Sequence, residues 1–196
     1  ASLLAYLRAC ESSEKRMRDY YASVGFFACG LLSKATIMTL PAVLLAIDVY
    51  PLRRLGGANG WWRGHVKHVY REKIPYLLLS AAAAILSLVA LPARPQLPLG
   101  SKIVVSAYGL SFYLWKPPIP VHLSPLYPMP ARVEPTAVTY IVSICVVVIV
   151  SAAAFATRRR WPAIAAAWIA FVILTLPMLG AVQNGPQIAA DRYTYH

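Results

Sequence analysis

Acidic residues are scarce in this chain: 7 Asp and Glu stand against 19 Lys and Arg in 196 residues. Charge of either sign is thin, at 13% of the sequence, well under the roughly 25% of a soluble domain. The apolar residues come instead in long blocks. Together these exclude an ordinary soluble domain and make lipid the solvent for most of the chain. Cysteine is sparse too. Cys10, Cys29 and Cys145 are an odd, scattered set with neither a disulfide framework nor a metal spacing. The four histidines form no cluster with Cys or carboxylates, so neither a metal nor a cofactor is expected. No repeat of 20 to 50 residues appears, and no signal peptide is visible.

What is present is a set of apolar stretches of membrane-spanning length. Residues 74–92, 136–156 and 162–182 each hold about 20 residues, enough to cross a hydrocarbon core. Pro75 and Pro162 stand near the starts of two of them, where a missing N–H costs least. Their density of Ala and Ser permits close helix packing. The stretch 20–51 is too long for one crossing, about 48 Å as a single helix. It also holds Gly30, Ser33, Lys34 and Pro41. Two short helices, 20–32 and 36–50, turning near Ser33-Lys34-Ala35-Thr36, suit it better.

The net charge of +12 suggests nucleic acid at first sight. Membrane orientation explains it better, since basic residues collect on cytoplasmic loops. With a hairpin at 20–51, the segments 8–18, 53–73 and 158–160 share one side and hold 13 of the 19 Lys and Arg. That side is the cytoplasm, and nucleic acid is not expected as a partner. The outer side then carries residues 93–135 and the C-terminal segment. Residues 103–115 are apolar but only about 20 Å long as a helix. Tyr108, Phe112 and Trp115 fall on one face, as in a helix anchored in the headgroup region. The fold class read here is all-α: a polytopic helical membrane protein with a short hairpin, three long spans and one interfacial helix. It makes one transmembrane domain over 1–196.

Ten of the sixteen prolines lie in residues 92–135, together with Trp, Tyr, His and Lys, which makes this outer segment a shaped site rather than a bland linker. Lys116 follows an aromatic run and precedes two prolines, at the depth of lipid phosphates, where a cation holds phosphate. His122 and Tyr127 belong to the same rigid segment. Lys34 lies within an apolar block, where inserting a lysine costs roughly 2.5–3.5 kcal/mol. It either serves a site or sits at the outer surface. Asp191-Arg192-Tyr193-Thr194-Tyr195 packs acid, base and two phenols just outside the last span. Asp48, before Arg53-Arg54, reads as a carboxylate at the inner interface paired with arginine.

Three blocks carry a resemblance. They are Phe27-Ala28-Cys29-Gly30-Leu31-Leu32-Ser33-Lys34 with Thr39-Leu40-Pro41 and Asp48-Val49-Tyr50-Pro51-Leu52; Tyr113-Leu114-Trp115-Lys116 running to Leu126-Tyr127-Pro128; and Ala190-Asp191-Arg192-Tyr193-Thr194-Tyr195. In order and spacing they resemble the membrane half of the transmembrane and tetratricopeptide-repeat proteins and their bacterial relatives. Those are members of the C-type, multi-span glycosyltransferase superfamily. The resemblance implies transfer of a sugar, typically mannose, from a polyprenyl or dolichyl phosphate to a protein hydroxyl on the outer face of a bacterial inner membrane. It also implies a catalytic carboxylate in an outer loop upstream of Ala1 and a tetratricopeptide domain after the spans, so the chain reads as a piece of a longer protein. Transfer from a lipid phosphate needs a base for the acceptor hydroxyl and cations for the leaving phosphate. The expected assignments are Lys34, Lys116 and Arg192 to the donor phosphate. His122, Tyr127, Asp191, Tyr193 and Tyr195 are expected to line the pocket. The catalytic residue is unassigned. The expected partners are the lipid bilayer, the lipid-phosphate sugar and a protein acceptor. Rival readings are a transporter or channel component, whose broken helix 20–51 would line a path, and a non-catalytic membrane scaffold.

Overall fold

The computed structural model describes residues 1–11, 15–56, 60–61, 66–90, 98–121, 123–125, 127–130, 133–179 and 187–190. The described residues form α-helices, with one short antiparallel pair of strands among them, and the chain divides into two compact units, Ala1–Pro92 and Ala93–His196.

The first unit holds α1 (Ser2–Glu11), α2 (Arg16–Ser33), a 3-10 turn (Ala35–Thr39), α3 (Leu40–Val49), α4 (Lys67–Arg71) and α5 (Ile74–Ala90). Lys34 ends α2: its backbone is extended, with φ −155°, and its N–H donates to the Gly30 carbonyl. Pro41, in the first turn of α3, gives up an N–H that would be unsatisfied anyway. Pro51 then forces Tyr50 into extended backbone, and α3 stops at Val49. The stretch 20–51 is thus two helices joined through the Lys34 turn. α1 packs along α2, and α5 packs against α2, α3 and the 3-10 turn. Tyr6, Phe27, Leu44 and Tyr76 form the core. The Phe27 and Tyr76 rings lie 5.4 Å apart. Ser2 and Ser23 exchange hydrogen bonds between α1 and α2, and the Tyr76 hydroxyl donates to Ser23 Oγ at 2.7 Å.

The second unit holds α6 (Leu99–Trp115), β1 (Tyr127–Pro128), α7 (Val138–Thr157), α8 (Pro162–Thr175), a 3-10 turn (Leu176–Met178) and β2 (Gln187–Ala189). α6 packs on α7, and α7 on α8. α6 begins before the expected 103–115 and buries Val104, Val105, Leu110, Phe112 and Tyr113. Of its aromatic face, expected to anchor among headgroups, two members pack on protein: Tyr108 meets Tyr140 of α7 at 6.0 Å, and Phe112 meets Tyr127 at 5.1 Å, while Trp115 stays exposed.

Two helical stretches among the described residues are long and apolar enough to cross a membrane, Lys67–Ala90 and Val138–Thr157. They correspond to the expected spans 74–92 and 136–156. The third expected span, 162–182, is described as far as Leu179 as a shorter apolar helical stretch, Pro162–Met178, and its last residues, 180–182, lie outside the described residues. Its α-helix has 14 residues and gives way at Leu176–Pro177 to a 3-10 turn, because proline removes an i to i−4 hydrogen bond and clashes with the preceding turn.

Candidate functional site

In the second unit, Lys116 caps the C-terminus of α6. The residue is 3% exposed. Three rings surround the ammonium: Phe112 at 5.5 Å, Trp115 at 5.3 Å and Tyr127 at 5.3 Å. The Nζ donates to the Val121 carbonyl. The turn at Pro117-Pro118 carries the chain back so that Val121 and Tyr127 close over the lysine. Cation–π contacts in such a desolvated setting contribute about 2 kcal/mol.

The strand pair adds the C-terminal segment to this cluster. Tyr127 of β1 pairs with Ala189 of β2. Phe112, Tyr113 and Ala189 form a small core with Tyr108, Tyr127, Phe171 and Ile188 around it. Ala190, fully buried, donates its N–H to the Tyr113 hydroxyl at 3.2 Å. Segments 60 or more residues apart in sequence therefore meet around Tyr113, Lys116 and Tyr127. Of the expected site residues, Lys116 and Tyr127 come together. Lys34 belongs to the first unit, at the end of α2. His122, Asp191, Arg192, Tyr193 and Tyr195 lie outside the described residues.

The first unit holds an ionic cluster only half visible in the sequence. Asp48 is fully buried and touches three partners. Lys73 Nζ lies 2.6 Å from Oδ2, Arg54 Nη1 3.1 Å from Oδ1, and the Tyr6 hydroxyl 2.9 and 3.0 Å from the two oxygens. Lys73, itself 1% exposed, also donates to the Tyr6 hydroxyl. Arg54 extends the network to Glu72 at 2.6 Å, and Arg16 meets Glu72 from α2. The pairing of Asp48 with an arginine was legible. Lys73 and Tyr6 were not, since they lie 25 and 42 residues away. One signal pointed to them: a carboxylate inside an apolar block requires partners, and Lys73 directly precedes the apolar run of α5.

Backbone geometry positions these groups. Arg53 adopts φ +51°, and the Arg54 and Leu55 N–H groups donate to the Asp48 carbonyl at 2.7 and 3.1 Å. The loop thereby wraps the end of α3 and delivers the Arg54 guanidinium to Asp48. Burial works to raise the Glu72 carboxyl, but hydrogen bonds from Arg54 and Arg16 outweigh it and hold the carboxyl below its ordinary range. Burial likewise opposes the Arg54 charge, yet the Tyr6, Glu72 and Asp48 side chains push its pKa upward. Both groups stay charged near neutral pH. The cluster thus binds five segments, α1, α2, α3, the 50–56 loop and the residues just before α5, at one end of the unit.

Among the described residues no group of three His, Cys, Asp or Glu is placed to hold a metal ion. No protein-family model, curated protein or solved structure matches this chain.

Proposed function

We propose that the chain forms the donor-lipid side of a membrane glycosyltransferase of the C-type, multi-span class, embedded in a bacterial inner membrane. It takes a sugar, mannose in the first instance, from a polyprenyl or dolichyl phosphate and passes it to a protein hydroxyl at the outer face. The glycosidic bond to phosphate breaks, a new bond forms to the acceptor oxygen, and the acceptor proton goes to a base. The lipid phosphate leaves with a full extra negative charge, which cations must meet. One observation supports the reading. The two outer blocks on which the resemblance rests, Tyr113–Lys116 with Tyr127 and the segment opening at Ala190, are joined by the strand pair and by the Ala190–Tyr113 hydrogen bond.

In this reading Lys116 supplies positive charge from within an aromatic wall, and Arg192, two residues beyond Ala190, supplies the guanidinium that takes the phosphate. Tyr127 packs the lysine, and His122, Asp191, Tyr193 and Tyr195 complete the pocket. The test is saturable binding of radiolabelled polyprenyl phosphate mannose to the chain in nanodiscs. Arg192→Ala should weaken binding about tenfold, the effect of one charge-assisted contact, and Lys116→Ala should weaken it by less, through the loss of nearby positive charge. Undiminished binding in both variants would remove the donor-site assignment and leave the scaffold reading.

A further inference from the structure

The first unit contains a cavity of about 310 Å³ between α1, the start of α2 and α4, beside the ionic clamp. Arg16, His68, Arg71 and Glu72 line one part of it, and Met17 and Tyr20 line another. Glu72 already receives two guanidiniums, from Arg16 and Arg54. The exposed Arg71 side chain has no carboxylate partner among the described residues. The cavity therefore carries excess positive charge, concentrated in guanidiniums, beside an apolar wall.

Its level in the fold is a second, independent observation. Arg71 and Glu72 lie three and two residues before Ile74, where the apolar helix α5 begins. The first residues of that helix turn Ile74, Leu77 and Leu78 outward, all exposed. A groove at the polar end of a lipid-facing helix sits at headgroup depth. Basic pockets at that depth on the cytoplasmic side take anionic headgroups, and guanidinium matches the two oxygens of a phosphodiester.

We propose that this cavity is a binding site for the phosphodiester headgroup of an anionic phospholipid, with Arg71 and Arg16 on the phosphate and Met17 and Tyr20 against the glycerol and upper acyl chain. The site rests on the membrane placement of α5 and not on the transferase reading.

The test is native mass spectrometry of the full chain released from vesicles of equal phosphatidylglycerol and phosphatidylcholine. The wild type should retain phosphatidylglycerol over phosphatidylcholine, and Arg71→Ala should lower that retention about tenfold. Arg71 is exposed, so the variant should keep the wild-type circular dichroism spectrum. Arg159→Ala, at an exposed turn of the second unit, should leave retention unchanged. Equal retention of both lipids by the wild type overturns the proposal. Equal losses in Arg71→Ala and Arg159→Ala also overturn it, since they mark general surface attraction. Millimolar inorganic phosphate should not displace the bound lipid; displacement would show a site for free phosphate and overturn the lipid assignment.

Discussion

Asp48 illustrates what a single charge does when the chain folds around it. Removing two ions from water costs several kcal/mol each, and their attraction recovers this only with good geometry and further hydrogen bonds. Asp48 has both, from Lys73, Arg54 and Tyr6. Asp48→Ala leaves Lys73 buried without its carboxylate, so the unit should lose about 3–5 kcal/mol, read as a lower melting temperature in detergent. Asp48→Leu with Lys73→Met removes both buried charges together and should recover much of that loss. A double variant as unstable as the single one would show that the pair is not what holds the site. Glu72 predicts a pH effect. Its folded-state pKa lies below the unfolded value of about 4.3. A group depressed in this way contributes stability above its unfolded pKa and loses it as pH falls through the folded value. The melting temperature should therefore drop on acidification below about pH 4. Glu72→Gln should flatten that part of the profile while leaving the rest in place.

At the scale of elements, helix length and interruption decide what could be read in advance. The break within 20–51 was legible because 32 residues of helix overshoot a bilayer and because Lys34 and Pro41 mark it. The structure turns there, with Lys34 extended and Pro41 opening α3. The change from α-helix to a 3-10 turn at Leu176 was not read, although Pro177 stood in the sequence as its signal; hydropathy runs on past a proline that α-helical geometry does not. The packing of α6 was hidden for another reason. Its aromatic face suits a headgroup layer and a protein core equally, and only partners distant in sequence, Tyr127 and Tyr140, decide between them. The same helix carries Gly109, where a Cβ would lie 2.9 Å from Leu179 Cδ2. Alanine there requires only a shift of a flexible leucine end. Gly109→Val overfills the contact and should destabilise by about 1–3 kcal/mol. Adding Leu179→Ala frees the space, so the double variant should melt above Gly109→Val alone. If it melts lower, the two residues do not compete for one space.

For the molecule as a whole, the surface of its long helices and the distribution of its charge point the same way. α5 turns Leu77, Leu78, Ile85, Leu86, Leu88 and Val89 outward, and α7 does so with Val142, Val148, Ile149 and Phe155. In water such continuous apolar surface marks a contact site or an aggregation hazard, whereas in lipid it is the ordinary surface of a span. Orientation then follows from charge within each unit. In the first, Arg16, Arg54 and Lys73 gather at one end of the helices through Asp48 and Glu72. Lys34 stands at the other end of α2, about 27 Å away along 18 residues. In the second, Arg158–Arg160 follow the C-terminus of α7, whose N-terminus comes after the Pro-rich segment. On the proposed membrane placement, the positive-inside rule would put the arginine-rich ends in the cytoplasm. Single cysteines at Lys67→Cys and Arg159→Cys, with Cys10, Cys29 and Cys145 replaced, should resist a membrane-impermeant maleimide in intact cells. Lys34→Cys and Leu123→Cys should react, and all four should react after permeabilisation. Labelling of positions 34 and 67 alike in intact cells would show that the first unit does not cross the bilayer as a hairpin. The clamp around Asp48 would then hold together a surface-bound bundle instead of the inner ends of membrane helices.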